Sequence, residues 1–205
     1  MHVRINEVTV SPARVDELGD VLANKALPVL LEQPGCKGLL CSADRATGSC
    51  TIVSRWDSRE SLDASESAVA SMRSETVDAL DAELDQVSIA EVLREVTATP
   101  TRAGNRSRVV RVTAPAGTTG ALIDFYGDVA LPRLQEQAGF LSSRIIQDVD
   151  DETRFAAISH WADEAALKAS EASSAGLREA VPTAVAGASI MAVTTGEIVF
   201  IELTG

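Results

Sequence analysis

Residues 3–10 alternate apolar and polar and are rich in β-branched side chains, and they end at Ser11-Pro12; this predicts a strand with one buried face. From residue 15 the period changes. Val15, Leu18, Leu22, Ala26, Val29 and Leu30 recur at helical spacing, so they share one face of a helix. Pro28 falls late in that stretch and Pro34-Gly35 follows, which predicts a kink or stop there. Two short strands are predicted next, about 38–43 and 49–56, turning through Asp44 to Gly48. Asp57 with Glu60 has capping-box spacing and predicts the start of a second helix. A last strand is expected over about 87–96.

The same order then repeats. Ala26-Leu27-Pro28 recurs as Ala130-Leu131-Pro132, and Glu32-Gln33-Pro34-Gly35 as Glu136-Gln137-Ala138-Gly139. Ser54-Arg55-Trp56 recurs as Ser159-His160-Trp161, and Ala64-Ser65-Glu66 as Ala169-Ser170-Glu171. A helical row of Leu122, Phe125, Tyr126 and Val129 precedes strands at about 140–148 and 154–161, an N-cap at Asp163 and a final strand at about 188–203. The polar stretch between the copies, with Pro100 and Gly104, predicts a linker. The expected organisation is therefore repeat 1 over 1–97, a linker over 98–106 and repeat 2 over 107–205.

The order β-α-β-β-α-β is that of a ferredoxin-like unit, so the fold class is α+β with two ferredoxin-like repeats. Such a sheet carries helices on one face only. Its other face holds Val3 and Ile5 in one repeat and Ala156 and Ile158 in the other, and leaving it in water costs about 25 cal/mol per Å² of apolar surface. Two copies in one chain remove that cost by packing sheet against sheet, which predicts a pseudo-dimer within the chain.

Composition narrows the function. The formal charge is -12, from 18 Lys and Arg against 30 Asp and Glu, and a chain this acidic is repelled by phosphate backbones and anionic membranes. No run reaches the ~18 apolar residues of a membrane span, and the N-terminal residues do not read as a signal peptide. The densest basic cluster, Arg106-Ser107-Arg108, falls in or beside the expected linker. Cys36, Cys41 and Cys50 do not form a disulfide framework. A cytoplasmic protein with reduced thiols is expected, with pairing of Cys41 and Cys50 across their hairpin left open. The sequence also lacks Gly-rich phosphate loops, a nucleophile elbow and metal-ligand spacing.

Certain residues resemble a known family. Val3-Arg4-Ile5-Asn6, then Pro34-Gly35-Cys36-Lys37-Gly38, then Ser54-Arg55-Trp56-Asp57-Ser58-Arg59-Glu60 are similar to the antibiotic biosynthesis monooxygenases. Ala138-Gly139-Phe140 and Ser159-His160-Trp161-Ala162-Asp163-Glu164 match in the second half. The resemblance implies a dimeric α+β barrel and either cofactor-independent oxygenation of aromatic polyketides or oxidative cleavage of haem. Haem cleavage is disfavoured. It requires a histidine on the last helix of a repeat, where this chain has residues such as Ser65, Ser74, Ser170 and Glu179.

Candidate chemistry sits in both halves. Asn6 shares a strand row with Val8 and Val10, and the second-half row is Val110, Val112 and Ala114. An unbonded amide there costs about 1–3 kcal/mol, so Asn6 either orients a substrate oxygen or dioxygen or is satisfied by backbone or water. Trp56 and Trp161 either pack the core or wall a pocket against a planar ligand. Leu22 and Ile52 would complete a first-half pocket, and Phe125, Tyr126 and Phe155 a second-half one. His160 could act as a general base, although it alternates with Trp161 and faces the other side of the sheet. These readings give Asn6, Tyr126 and His160 as catalytic candidates and no metal, flavin or haem. They favour a monooxygenase for a small aromatic or polyketide-like molecule; the alternative is a non-catalytic binding or structural barrel. The expected partners are a small-molecule ligand and the second half of the same chain, without nucleic acid or membrane, and a further homodimer is left open. The open pocket is expected beside Asn6 and Trp56, with the second half filled by its aromatics.

Overall fold

The computed structural model describes residues 1–204, and the fold is α+β. The first repeat runs β1 (His2–Thr9), a 3₁₀ turn, α1 (Val15–Val21), a π-helical turn (Leu22–Ala26), α2 (Leu27–Leu31), β2 (Cys36–Ala43), β3 (Ser49–Trp56), α3 (Arg59–Ala64), α4 (Glu66–Leu80) and β4 (Glu83–Thr97). The second repeats that order as β5 (Arg106–Thr113), α5 (Thr119–Phe125), a π turn (Tyr126–Ala130), α6 (Leu131–Gln135), β6 (Phe140–Asp148), β7 (Arg154–Trp161), α7 (Glu164–Ala169), α8 (Glu171–Ala184) and β8 (Ser189–Leu203). Among the described residues the hydrogen-bonded strand order is β1-β3-β2-β8-β5-β7-β6-β4, and it closes as an eight-stranded antiparallel barrel.

Contacts divide the chain into two compact units that cut across the sequence repeats. One is Met1–Ala90 with the chain from Gly196 on; the other is Glu91–Thr195. β4 and β8 are each 15 residues long, about 50 Å at strand rise, so each is long enough to serve both units.

In the first unit β1 pairs β3 from His2↔Trp56 to Thr9↔Ser49, and β2 pairs β3 through Cys41↔Ile52 and Ala43↔Cys50. β2 also takes the end of β8 as a neighbour, through Gly38↔Leu203 and Cys41↔Phe200. This register sends Val8, Leu39 and Trp56 into one core with Leu18, Leu22 and Leu62 from the helices. Fully burying such an aliphatic side chain contributes about 1.5–3 kcal/mol. Cys41 and Cys50 are free thiols inside this core. Their mutual hydrogen bond, then burial, pushes the Cys41 thiol well up.

In the second unit β5 pairs β7 from Arg106↔Trp161 to Thr113↔Arg154, and β6 pairs β7 through Phe140↔Trp161. Phe140 meets Trp161 edge to face at 5.8 Å. Arg106-Ser107-Arg108 is not linker but the start of β5, with Arg108 buried. The connection before it is tied down. The Ala98 and Thr99 amides donate to the Leu141 carbonyl, and Asn105 Nδ2 donates to Ala162 O at 2.7 Å.

The prolines neither stop nor break their helices. Pro28 and Pro132 follow π turns in which the Leu27 and Leu131 amides reach back five residues, to Leu22 and Tyr126. The wider turn makes room for a proline ring that would otherwise press on the carbonyl four residues earlier. The helix after β3 is capped by Ser58, whose Oγ accepts from the Ser61 amide at 3.1 Å, and not by Asp57. Asp57 is turned against Gly35 instead. Asp163 caps α7 as its sequence predicts.

Candidate functional site

Each unit holds a cavity between its helices and its sheet. The first-unit cavity measures about 40 Å³ and the second-unit cavity about 80 Å³. Leu22, Leu39, Ile52 and Val69 help to line the first, with Asn6 and Arg73 as polar neighbours. Tyr126, Ser143, Ala157 and Ser174 stand at the equivalent positions in the second, with Val110 and Arg178 in place of Asn6 and Arg73. The expectation of a roomier first half is therefore corrected. Aromatic residues do enter the second half, but Leu39 becomes Ser143, Ile52 becomes Ala157 and Val69 becomes Ser174. Three reductions on other walls return more space than Tyr126 and Phe155 take.

A repeated arginine cluster adjoins each cavity, with Arg73 lining the first and Arg108 and Arg178 the second. Arg4 is 1% exposed. It donates to Ser65 Oγ (3.2 Å) and Leu62 O (2.9 Å), pairs with Glu66 at 2.7 Å and lies over the Trp56 ring at 5.7 Å. Arg108 is 3% exposed. It donates to Ser170 Oγ (3.0 Å), Ser174 Oγ (2.6 Å) and Leu167 O (2.9 Å), pairs with Glu171 at 2.8 Å and lies over Trp161 at 5.7 Å. Burial pulls both guanidinium groups below their ordinary pKa, and Glu66 or Glu171 opposes it. A second arginine completes each cluster: Arg73 donates to Glu66, and Arg178 to Glu171.

The other polar pair of the second cavity is on its helix and sheet walls. Tyr126 Oη donates to Ser143 Oγ at 2.8 Å, and Ser143 Oγ donates in turn to the Ile158 carbonyl oxygen at 2.9 Å. Burial pushes the phenol up to about 12, against smaller opposing effects of Ser143, Arg144 and Arg94. At neutral pH Tyr126 is thus a fixed donor with a lone pair still available to a ligand.

The structure divides the sequence candidates. Asn6, Leu22 and Ile52 line the first cavity, and Phe125, Tyr126 and Phe155 the second. Trp56 and Trp161 line neither. Both are fully buried, and their indole Nε1 groups donate to Ser54 (3.0 Å) and Ser159 (2.9 Å). His160 is 2% exposed and outside the cavity; its Nδ1 meets Thr101 Oγ1 at 2.9 Å and Ser142 Oγ at 3.2 Å. The arginine clusters were not read from the sequence. Their signal was the repeat itself: Arg4 and Arg108 are as far apart as Ala26 and Ala130.

Neither cavity is lined by histidine, cysteine or carboxylate. Among the described residues no group of three or more His, Cys, Asp and Glu side chains is placed to hold a metal. The lining residues thus include no histidine or cysteine to ligate haem iron. Among the described residues no helix is long and apolar enough to cross a membrane.

The sequence pattern of the antibiotic biosynthesis monooxygenases matches residues 1–71 and again 106–180, together more than half of the chain. The uncharacterized protein Rv2558 of Mycobacterium tuberculosis is 27% identical over 150 residues, covering 72% of this chain and 62% of its own length. The chain thus spans less than two thirds of that relative. Among solved structures, a provisionally named monooxygenase of Fusobacterium nucleatum superposes with a TM-score of 0.70 at 11% identity, over 100% of this chain and 94% of the other. An anthrone oxidase-like protein superposes with a TM-score of 0.66 at 15% identity, again over 100% and 94%. At these identities the likeness is one of fold.

Proposed function

Because the chain belongs to the antibiotic biosynthesis monooxygenase family, we propose that its second unit binds a small, mainly apolar phenol or enol and oxygenates it with dioxygen, without a resident cofactor. The observation that carries this reading is the cavity of about 80 Å³, apolar but for a few convergent polar groups, with Tyr126 protonated at its edge. No lining side chain is a histidine or carboxylate, so the proton lost must come from a substrate that is itself acidic. Its carbanion form would add to dioxygen, making a C–O bond and reducing dioxygen to a peroxide. Loss of water from the hydroperoxide then leaves a carbonyl. In total, a CH₂ group and O₂ become C=O and H₂O. The Tyr126 hydroxyl and Ser143 would orient the oxygen-bearing group, while Phe125 and Phe155 bound the ring. Asn6 would serve the smaller first cavity in the same way.

The cavity size favours a second reading, non-catalytic binding. About 80 Å³ is short of the ~150 Å³ that takes up benzene in an engineered core, so a ring enters only if a wall yields. The wall suited to yield is α8, which carries Gly176 and Pro182 and is weakened by both. Dioxygen uptake by the chain with single-ring and anthrone-type phenols, with product mass measured, tests the proposal. Uptake above the uncatalysed rate, lowered by Tyr126→Phe and giving a product heavier by one oxygen and lighter by two hydrogens, supports it. Saturable binding with no uptake across the series would sink catalysis and leave the binding reading.

A further inference from the structure

The two arginine clusters differ in the partners of their second arginine. In the first unit Arg73 Nη2 binds Glu66 and its Nη1 points to Asn6 Oδ1, 3.4 Å away. In the second unit Arg178 Nη2 binds Glu171 in the same way. The residue equivalent to Asn6, however, is Val110, which cannot accept a hydrogen bond. Arg178 Nη1 is buried and has no hydrogen-bond partner among the described residues. Arg178, Val110 and Arg108 all line the larger cavity. A buried charged donor left without an acceptor is costly, and native structures retain one mainly where something else supplies the acceptor.

We propose that the second-unit cavity is a site for a small organic oxyanion, a carboxylate or phenolate on an apolar body, whose oxygen takes from Arg178 the bond that Asn6 takes from Arg73. The proposal rests on reading this cavity as the small-molecule site. Local charge agrees with it. Arg108 and Arg178 face Glu171 alone within the cluster, leaving one positive charge, and Glu171 is half exposed and so partly neutralised by water. The Tyr126 hydroxyl stays protonated and so adds no negative charge against an anion. The remaining walls are apolar: Leu122, Phe125, Phe155, Leu177 and Val181. A ligand with a charged oxygen at one end and hydrocarbon at the other matches both ends. For the proposed oxygenation the same contact would favour ionisation of the substrate, since an adjacent cation lowers an acid's pKa by about 1–3 units.

The test is calorimetric titration of the whole chain with benzoate and with 4-nitrophenolate, each beside a neutral counterpart, benzamide or nitrobenzene. One equivalent of anion per chain is expected, with the neutral counterparts at least about tenfold weaker, the fold-change of one charge-assisted hydrogen bond. Val110→Asn should rebuild the first-unit arrangement, occupy Arg178 and weaken anion binding at least about tenfold. Arg178→Gln should do likewise by removing the donor. Tighter binding of benzoate identifies a carboxylate ligand; tighter binding of 4-nitrophenolate, with its yellow colour kept below its free pKa, identifies a phenolate. The proposal is overturned if neither anion saturates, if two equivalents bind, or if both variants, checked by circular dichroism, bind as the parent does. Dioxygen uptake without anion binding would overturn this inference and spare the oxygenase reading. Anion binding without uptake would do the reverse.

Discussion

Tyr126 is the sole tyrosine in the sequence, so one optical titration reports on the cavity wall. Its phenol is 3% exposed, and burial pushes its pKa up to about 12 from an ordinary value of about 10. The folded chain thus keeps a proton that the unfolded chain gives up between about pH 10 and 12. Where the unfolded state binds fewer protons, stability falls as pH rises. This contribution is fully present below pH 10 and is lost as pH climbs through the folded value. With one pKa unit equal to about 1.4 kcal/mol, the loss should be about 1 kcal/mol at pH 11 and approach about 3 kcal/mol above pH 12. Tyrosinate absorbance near 295 nm should rise with a midpoint well above 10 while circular dichroism remains native. In urea unfolding, Tyr126→Phe should flatten the alkaline decline and cost no more than about 1 kcal/mol at pH 7, because Ser143 keeps its bond to Ile158. A folded-state midpoint near 10 would refute the argument, since it would mean that water already reaches the hydroxyl and the wall is not dry.

Two further pairs of substitutions test the packing and the ion pairs. Gly38 has φ +112 and an added Cβ would fall 2.1 Å from the Glu202 carbonyl oxygen on β8, whereas Gly104 has φ +86 and nothing within 4 Å. Thermal melts should show Gly38→Ala costing roughly 3 kcal/mol or more and Gly104→Ala about 1 kcal/mol; equal losses would mean that strand contact at residue 38 does not matter. Glu171→Gln deprives the nearly inaccessible Arg108 of its counter-charge and should cost about 2 kcal/mol. Breaking the exposed Glu164–Lys168 pair with Glu164→Gln should leave the melting temperature nearly unchanged, and the reverse order would remove the arginine cluster's role.

What the sequence made legible follows from what was repeated and what was local. Strand and helix periods are local, so β1, β3 and the paired first helices could be placed, and the repeated Pro and Trp blocks fixed the two-unit plan. The π turns could not be foreseen, because Leu22–Ala26 and Tyr126–Ala130 carry ordinary helical spacing and change only a hydrogen-bond register. Arg108 was hidden by its type: an arginine in a polar stretch reads as solvated, and only Trp161, Ser170 and Glu171, more than fifty residues away, make it a core residue. The larger cavity was hidden for a related reason. Its volume is a balance of Ser143, Ala157 and Ser174 against Tyr126 and Phe155, drawn from separate elements, and the aromatics are the conspicuous part of that balance. His160, expected to face away from Trp161, lies outside both cavities with its Nδ1 against Thr101 and Ser142.

The central claim is that the small-molecule site lies in the second unit and is closed by Arg178. A crystal structure of the chain soaked with benzoate or 4-nitrophenolate examines it directly. The account predicts ligand density in the second-unit cavity, with an oxygen within hydrogen-bond distance of Arg178 Nη1 and the ring between Phe125 and Phe155, and the first-unit Arg73 still bonded to Asn6. Density beside Asn6 in place of Arg178, or a ligand oxygen seated away from both arginines, would contradict it.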